Sequence, residues 1–149
     1  MESFLKDTIV VTALLGWLIA QLLKVVFVLI GDKRLDFSRL TGSGGMPSSH
    51  SSLVCSLSTA VGFSSGWSSD IFVVCLVLSL IVMYDAAGVR YAAGKQASIL
   101  NKIMEEWEEK GTFDGEKHLK ELLGHTPFQV ICGALLGIFI GLLRHYILV

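Results

Sequence analysis

The sequence predicts an all-α fold, a polytopic membrane helical bundle of about four transmembrane helices plus an amphipathic helix at the interface. Three observations predict it. Hydrophobic residues make up 52% of the 149 residues, and the mean hydropathy is +0.64, above that of an ordinary soluble domain. Charged side chains cluster near the N-terminus, in 31–39 and in 90–121, leaving long stretches nearly free of them. Those stretches are long enough to cross a hydrocarbon core of about 30 Å.

The first apolar run, Ile9 to Ile30, is broken only by Gln21 and Lys24. It is too long for the core of a secretory signal and reads as a retained span. Lys24 is expected to snorkel toward the membrane face. The second segment, Ser51 to Phe63, is short and rich in Ser, Thr and Ala, as expected of a span buried among the others. The third, Ile71 to Tyr84, runs into Asp85. From Arg90 onward Ile99, Ile103 and Trp107 recur on one face, predicting an interfacial amphipathic helix. A turn at Gly111 to Gly115 and a short helix from Glu116 to Leu123 follow. The last span, Phe128 to Leu148, carries Gly133, Gly137 and Gly141 on one face, a face suited to close helix packing and to a homo-oligomer.

One domain, residues 1–149, accounts for the length. Cys55, Cys75 and Cys132 lie inside apolar segments and read as packing residues, not as a disulfide framework. Metal-ligand spacing is missing, so no metal or other cofactor is implied. A net charge of −1 and the lack of a basic stripe set nucleic-acid binding aside. Nine of the twelve Lys and Arg residues fall in the 31–48 loop and the 90–124 stretch. The positive-inside rule makes that face cytoplasmic, in an inner plasma membrane. Trp17, Trp67 and Trp107 are expected as interface anchors, and His118 and His145 as solvated residues.

Three stretches carry residues suited to chemistry. Gly42 to Ser52 brings glycines, Pro47, Ser48 and Ser49 to the start of a helix beside His50, a favourable anion site, with Lys33, Arg34 and Arg39 upstream. In Leu122 to Gln129, Gly124 stops one helix and Thr126-Pro127 starts the next. Thr126 and Gln129 fit a capping box, which leaves His125 at a sharp break, free to be nucleophile or base. In Met83 to Gln96, Asp85 ends an apolar span near Arg90 and Lys95. Five residues apart on a regular helix, Asp85 and Arg90 would not face each other, so each is expected to find partners on another helix.

Pro47-Ser48-Ser49-His50 resembles the Pro-Ser-Gly-His element of the type 2 phosphatidic acid phosphatase and vanadium haloperoxidase superfamily. His125-Thr126-Pro127-Phe128-Gln129-Val130, followed by Gly133 to Gly137, resembles the segment that bears its nucleophilic histidine. The whole looks like the small divergent branch of that superfamily from about Ala20 to Gly141. The resemblance implies a metal-independent lipid phosphatase: His125 forms a phosphohistidine, and His50 protonates the leaving oxygen. Lys33, Arg39, Arg90, Lys95, Ser48 and Ser49 then hold the phosphate of a phosphorylated or pyrophosphorylated lipid. The sequence departs from the pattern at Leu119, where an Arg is expected, and at Gln129, where an Asp is expected. Asp85 or Glu121 is the expected replacement for that carboxylate. The alternative reading is a protein that binds or moves a phosphorylated lipid without hydrolysing it.

Overall fold

A computed structural model describes residues 8–33, 44–110, 119 and 124–148. The described residues form five α-helices: α1 (Thr8–Asp32), α2 (Ser49–Ser65), α3 (Asp70–Ala87), α4 (Val89–Glu109) and α5 (Pro127–Leu148). Among the described residues three stretches are long and apolar enough to cross a membrane: Thr8–Gly31, Asp70–Glu109 and Pro127–Ile147. Leu14, Leu18 and Leu22 of α1, Val73, Val77 and Ile81 of α3, and Ile131, Leu135 and Phe139 of α5 all stand exposed. Water would strongly penalise so much outward apolar surface, whereas lipid accepts it.

The polar side chains have gone to the inside instead. Helix α2 packs against α1, α3 and α5, and ten of its residues are buried, six of them Ser or Thr. At 17 residues it is about 25 Å long by the α-helical rise, so it is both shorter and more polar than the other spans. Its hydroxyls are satisfied within the helix and by its neighbours. Ser52 Oγ donates to the Gly16 carbonyl at 2.8 Å, and Ser58 and Ser79 share a 2.8 Å bond across α2 and α3. Ser79 also donates to the Val54 carbonyl.

Small residues set how closely these helices approach. A Cβ on Gly133 would run into the Ser48 carbonyl, one on Gly137 into the Ser52 carbonyl, and one on Gly141 into Thr59. The glycine face expected to form a homo-oligomer is therefore spent inside the chain, against α2. A four-residue period identifies a packing face but does not name its partner.

Helix α4 makes its helix contacts with α3. Gly88 both ends α3 and starts α4, its N–H bonded to the Tyr84 carbonyl at 2.8 Å and its carbonyl accepting from the Ala92 N–H. Asn101 bonds the Leu119 backbone reciprocally, donating to its carbonyl and accepting from its N–H, each at 2.8 Å. The expected turn at Gly111 to Gly115, the short helix to Leu123, and His118 lie outside the described residues. Trp17 sits near the middle of α1, facing outward, not at an interface. Trp67 lies in the α2–α3 turn, packed edge-on against Phe63 and Phe72.

Candidate active site

The end of α1, the start of α2, the end of α3 and the start of α5 meet at one face of the bundle. Two helix N-termini, of α2 and α5, direct their partial positive charge there. The approach to α2 turns through Gly44 and Gly45, both at positive φ, then through a cis Met46-Pro47 bond. Ser48 caps α2: its Oγ accepts from the Ser51 N–H and the Ser51 hydroxyl. Its own N–H donates to the Gln129 carbonyl of α5 at 3.1 Å.

His125 is held from three directions. Its N–H donates to the Ala86 carbonyl at the end of α3. Preceding it, Gly124 has φ 84, and a Cβ there would strike the backbone of Arg90 and Tyr91, so only glycine lets the loop lie against the start of α4. Following it, the expected capping box is present. Thr126 N–H donates to Gln129 Oε1 at 3.2 Å, and Gln129 N–H donates to Thr126 Oγ1 at 3.3 Å.

The capping box also fixes the imidazole. The Thr126 N–H orients the Gln129 amide so that Oε1 faces inward, 3.3 Å from His125 Nδ1, and the Gly45 carbonyl lies 3.0 Å from the same nitrogen. Both neighbours are acceptors, so Nδ1 must carry the proton. The lone pair then resides on Nε2, which is buried and has no hydrogen-bond partner among the described residues. Burial, followed by the Lys24 charge, pulls the His125 pKa below the ordinary imidazole value, against the opposing bonds to Gln129 and Gly45. The site thus holds His125 as a neutral imidazole with a free basic nitrogen.

His125 opens onto a cavity of about 290 Å³ lined by His50, Ile81, Val82, Asp85, Ala86, Arg90 and Gly124. The His50 ring lies edge-on, centroid to centroid 6.5 Å away. Both rings therefore stand within reach of one anion seated in that cavity. The two histidines, 75 residues apart in the chain, meet at one end of the bundle.

Asp85 and Arg90 line the cavity too, but they pair with each other, Arg90 Nε donating to Asp85 Oδ2 at 2.6 Å, in a half-exposed bridge. Each does find its partner on another helix, Asp85 on α3 and Arg90 on α4, but that partner is the other member of the pair. The helix breaks at Gly88 between them, which swings residue 90 back over residue 85. Asp85 is therefore not the buried partner of His125; the Gln129 and Gly45 carbonyls hold that place.

Ser48 and Ser49 are buried and do not line the cavity. Lys33 follows α1 at positive φ and is exposed, and Lys95 lies 4.7 Å over the Tyr91 ring; neither lines the cavity. Arg39 and Glu121 lie outside the described residues. One cation at the site was misread in the sequence. Lys24 does not snorkel: it is 2% exposed, and its Nζ donates to Ser49 Oγ at 3.1 Å, close enough to act on His125. Its depth was the signal. Eight residues before the end of α1, it sits about 12 Å from that end by the helical rise, beyond the reach of its stem, and an ionisable residue at such depth is costly unless partnered.

Residues 5–140 match the model of a family described as divergent PAP2. A Bacillus subtilis (strain 168) protein described as the uncharacterized membrane protein YuiD is 39% identical over 145 residues, covering 91% of this chain and 92% of that protein. No solved structure matches the chain.

Proposed function

Since the chain belongs to the divergent PAP2 family, we propose that it is an integral membrane phosphohydrolase that acts on a phosphorylated amphiphile through a phosphohistidine. The observation that carries this reading is the tautomer of His125: two acceptors on Nδ1 leave the Nε2 lone pair beside a cavity shared with His50. Nε2 attacks phosphorus, the bond from phosphorus to the leaving oxygen breaks, and protonated His50 gives that oxygen its proton. Neutral His50 then takes a proton from the water that cleaves the phosphorus–nitrogen bond, returning both histidines to their starting state.

Charge on the phosphoryl oxygens is met by Arg90 at the rim, by the Lys24 ammonium behind Ser49, and by the N-terminal amides of α2. Ile81 and Val82 carry the cavity wall onto the lipid-facing side of α3, so a substrate with an apolar tail can enter sideways from the bilayer. A lipid phosphate or diphosphate is the class this supports. The positive-inside bias favours a cytoplasmic site in the plasma membrane.

A second reading is favoured by one observation: amide and backbone carbonyls, not a carboxylate, face His125 Nδ1. Neutral acceptors stabilise an imidazolium less than a carboxylate does, and a chain that binds or moves a phosphorylated lipid without turnover has no need of one. Purified protein in detergent, given a panel of lipid phosphates and diphosphates, decides between them. Phosphate release that disappears in His125→Ala is expected; binding of the same lipids without any release supports the second reading.

A further inference from the structure

At the opposite end of the bundle lies a second cavity, of about 320 Å³, between the start of α1 and the ends of α2 and α5. Its walls include Thr8, Thr12, Phe63, Ser64, Arg144 and His145. Thirteen residues of α2 separate Phe63 from His50, about 20 Å of helix, so the two cavities do not communicate through shared residues.

The chemistry of this cavity is that of an anion receptor. Arg144 Nε is buried, with no hydrogen-bond partner among the described residues. A guanidinium nitrogen removed from water and left unpaired is costly, and among the described residues no carboxylate lines the cavity. Thr8, Thr12 and Ser64 add hydroxyls, and Thr12 Oγ1 is already turned to the Thr8 carbonyl at 2.6 Å. Beside Arg144, His145 stacks on Phe63 with ring centroids 3.8 Å apart and planes 11° from parallel, which makes one wall of the cavity rigid. A flat, five-donor guanidinium suits phosphate oxygens.

The position selects among phosphate sources. Helix ends of the bundle lie at head-group level, and next to the cavity Tyr146 and Ile147 present exposed apolar surface toward the bilayer. We propose that this cavity binds the phosphate head group of an anionic lipid in the leaflet opposite the candidate active site, with Arg144 as the donor. The lipid is a bound partner and not a substrate: no side chain of the His50 and His125 kind faces this cavity as a pair. The assignment does not depend on whether His125 hydrolyses anything.

Thermal unfolding of the purified full chain in maltoside micelles tests it, with phosphatidylglycerol, phosphatidylcholine or inorganic phosphate added. Phosphatidylglycerol should raise Tm saturably, since a ligand held by the native state stabilises it, while phosphatidylcholine and inorganic phosphate should not. Arg144→Gln should weaken the apparent affinity for phosphatidylglycerol by about tenfold or more, the loss expected for a charge-assisted bond. Ala60→Leu keeps Arg144 but fills the cavity from α2, and should weaken it similarly, which guards against a folding defect in the Arg144 variant. His125→Ala should leave the response unchanged. A phosphatidylglycerol response retained in both cavity variants overturns the site, and an equal response to inorganic phosphate overturns the lipid as its occupant.

Discussion

Lys24 is the residue whose neighbourhood most changes the reading of the site. Its ammonium is buried against Ser49 and bears on His125, so Lys24→Met should lower turnover by about a hundredfold, the scale of losing one preorganised charge donor. Stability should hold or rise, because an apolar side chain of similar length replaces a desolvated charge. The same variant removes a cation that depresses the His125 pKa, so the acid limb of the pH profile should move to higher pH. Linkage gives His125 a second signature. Its folded pKa lies below the unfolded value of 6.5, so between the two the unfolded chain binds more protons and stability falls as pH falls. Thermal melts should lose Tm as pH drops from about 6.5, the ordinary imidazole value, and His125→Asn should flatten that loss. Asp85→Asn has a different profile. Its bridge to Arg90 is half-exposed and worth at most about 1 kcal/mol, so any large loss of activity in that variant reports the cavity and not the fold.

Among the elements, periodicity made the helices legible and tertiary contacts did not follow from it. Apolar length announced α1, α3 and α5, the spacing of Ile99, Ile103 and Trp107 announced α4, and Thr126 with Gln129 announced the start of α5. The capping box was read as a structural reason for Gln129, which it is. Its second consequence, that the oriented amide sets the His125 tautomer, needed the Gly45 carbonyl from the far side of the chain. The Asp85–Arg90 pair was missed because a helical wheel assumes an unbroken helix, and Gly88 breaks it. Likewise Lys24 was judged by its type instead of its depth. The glycine face gives the strongest test at this scale. Gly137→Val places a side chain against the Ser52 carbonyl and should destabilise by about 1–3 kcal/mol or more, the cost of overpacking, seen as a lower Tm in detergent without a change of oligomeric mass.

For the whole molecule the question is which way the bundle faces. His50, His125, Lys24, Arg90 and the exposed run of α4 belong to one end, and the Arg144 cavity to the other. Cysteines introduced at Ser68, in the α2–α3 turn, and at Lys110, past α4, after the three native cysteines are changed to Ala, should report it. In intact cells a membrane-impermeant thiol reagent should label position 68 and spare position 110. The reverse pattern would move the candidate active site to the outer surface and draw its substrate from the outer leaflet.

The inward polarity of α2 bears on how the chain enters the membrane at all. A segment of 17 residues with Ser or Thr at 49, 51, 52, 56, 58 and 59 gains little by leaving water for lipid alone. Its hydroxyls are satisfied by Gly16 in α1 and by Ser79 and Cys75 in α3, and Ser48, Ser52 and Thr59 lie against the glycines of α5, which is made after it. Biogenesis must therefore deliver α2 as a passenger of its neighbours, held at the insertion site until α5 emerges. A chain released before Pro127 is synthesised leaves Ser48, Ser52 and Thr59 without their cover, a ready mark for membrane quality control.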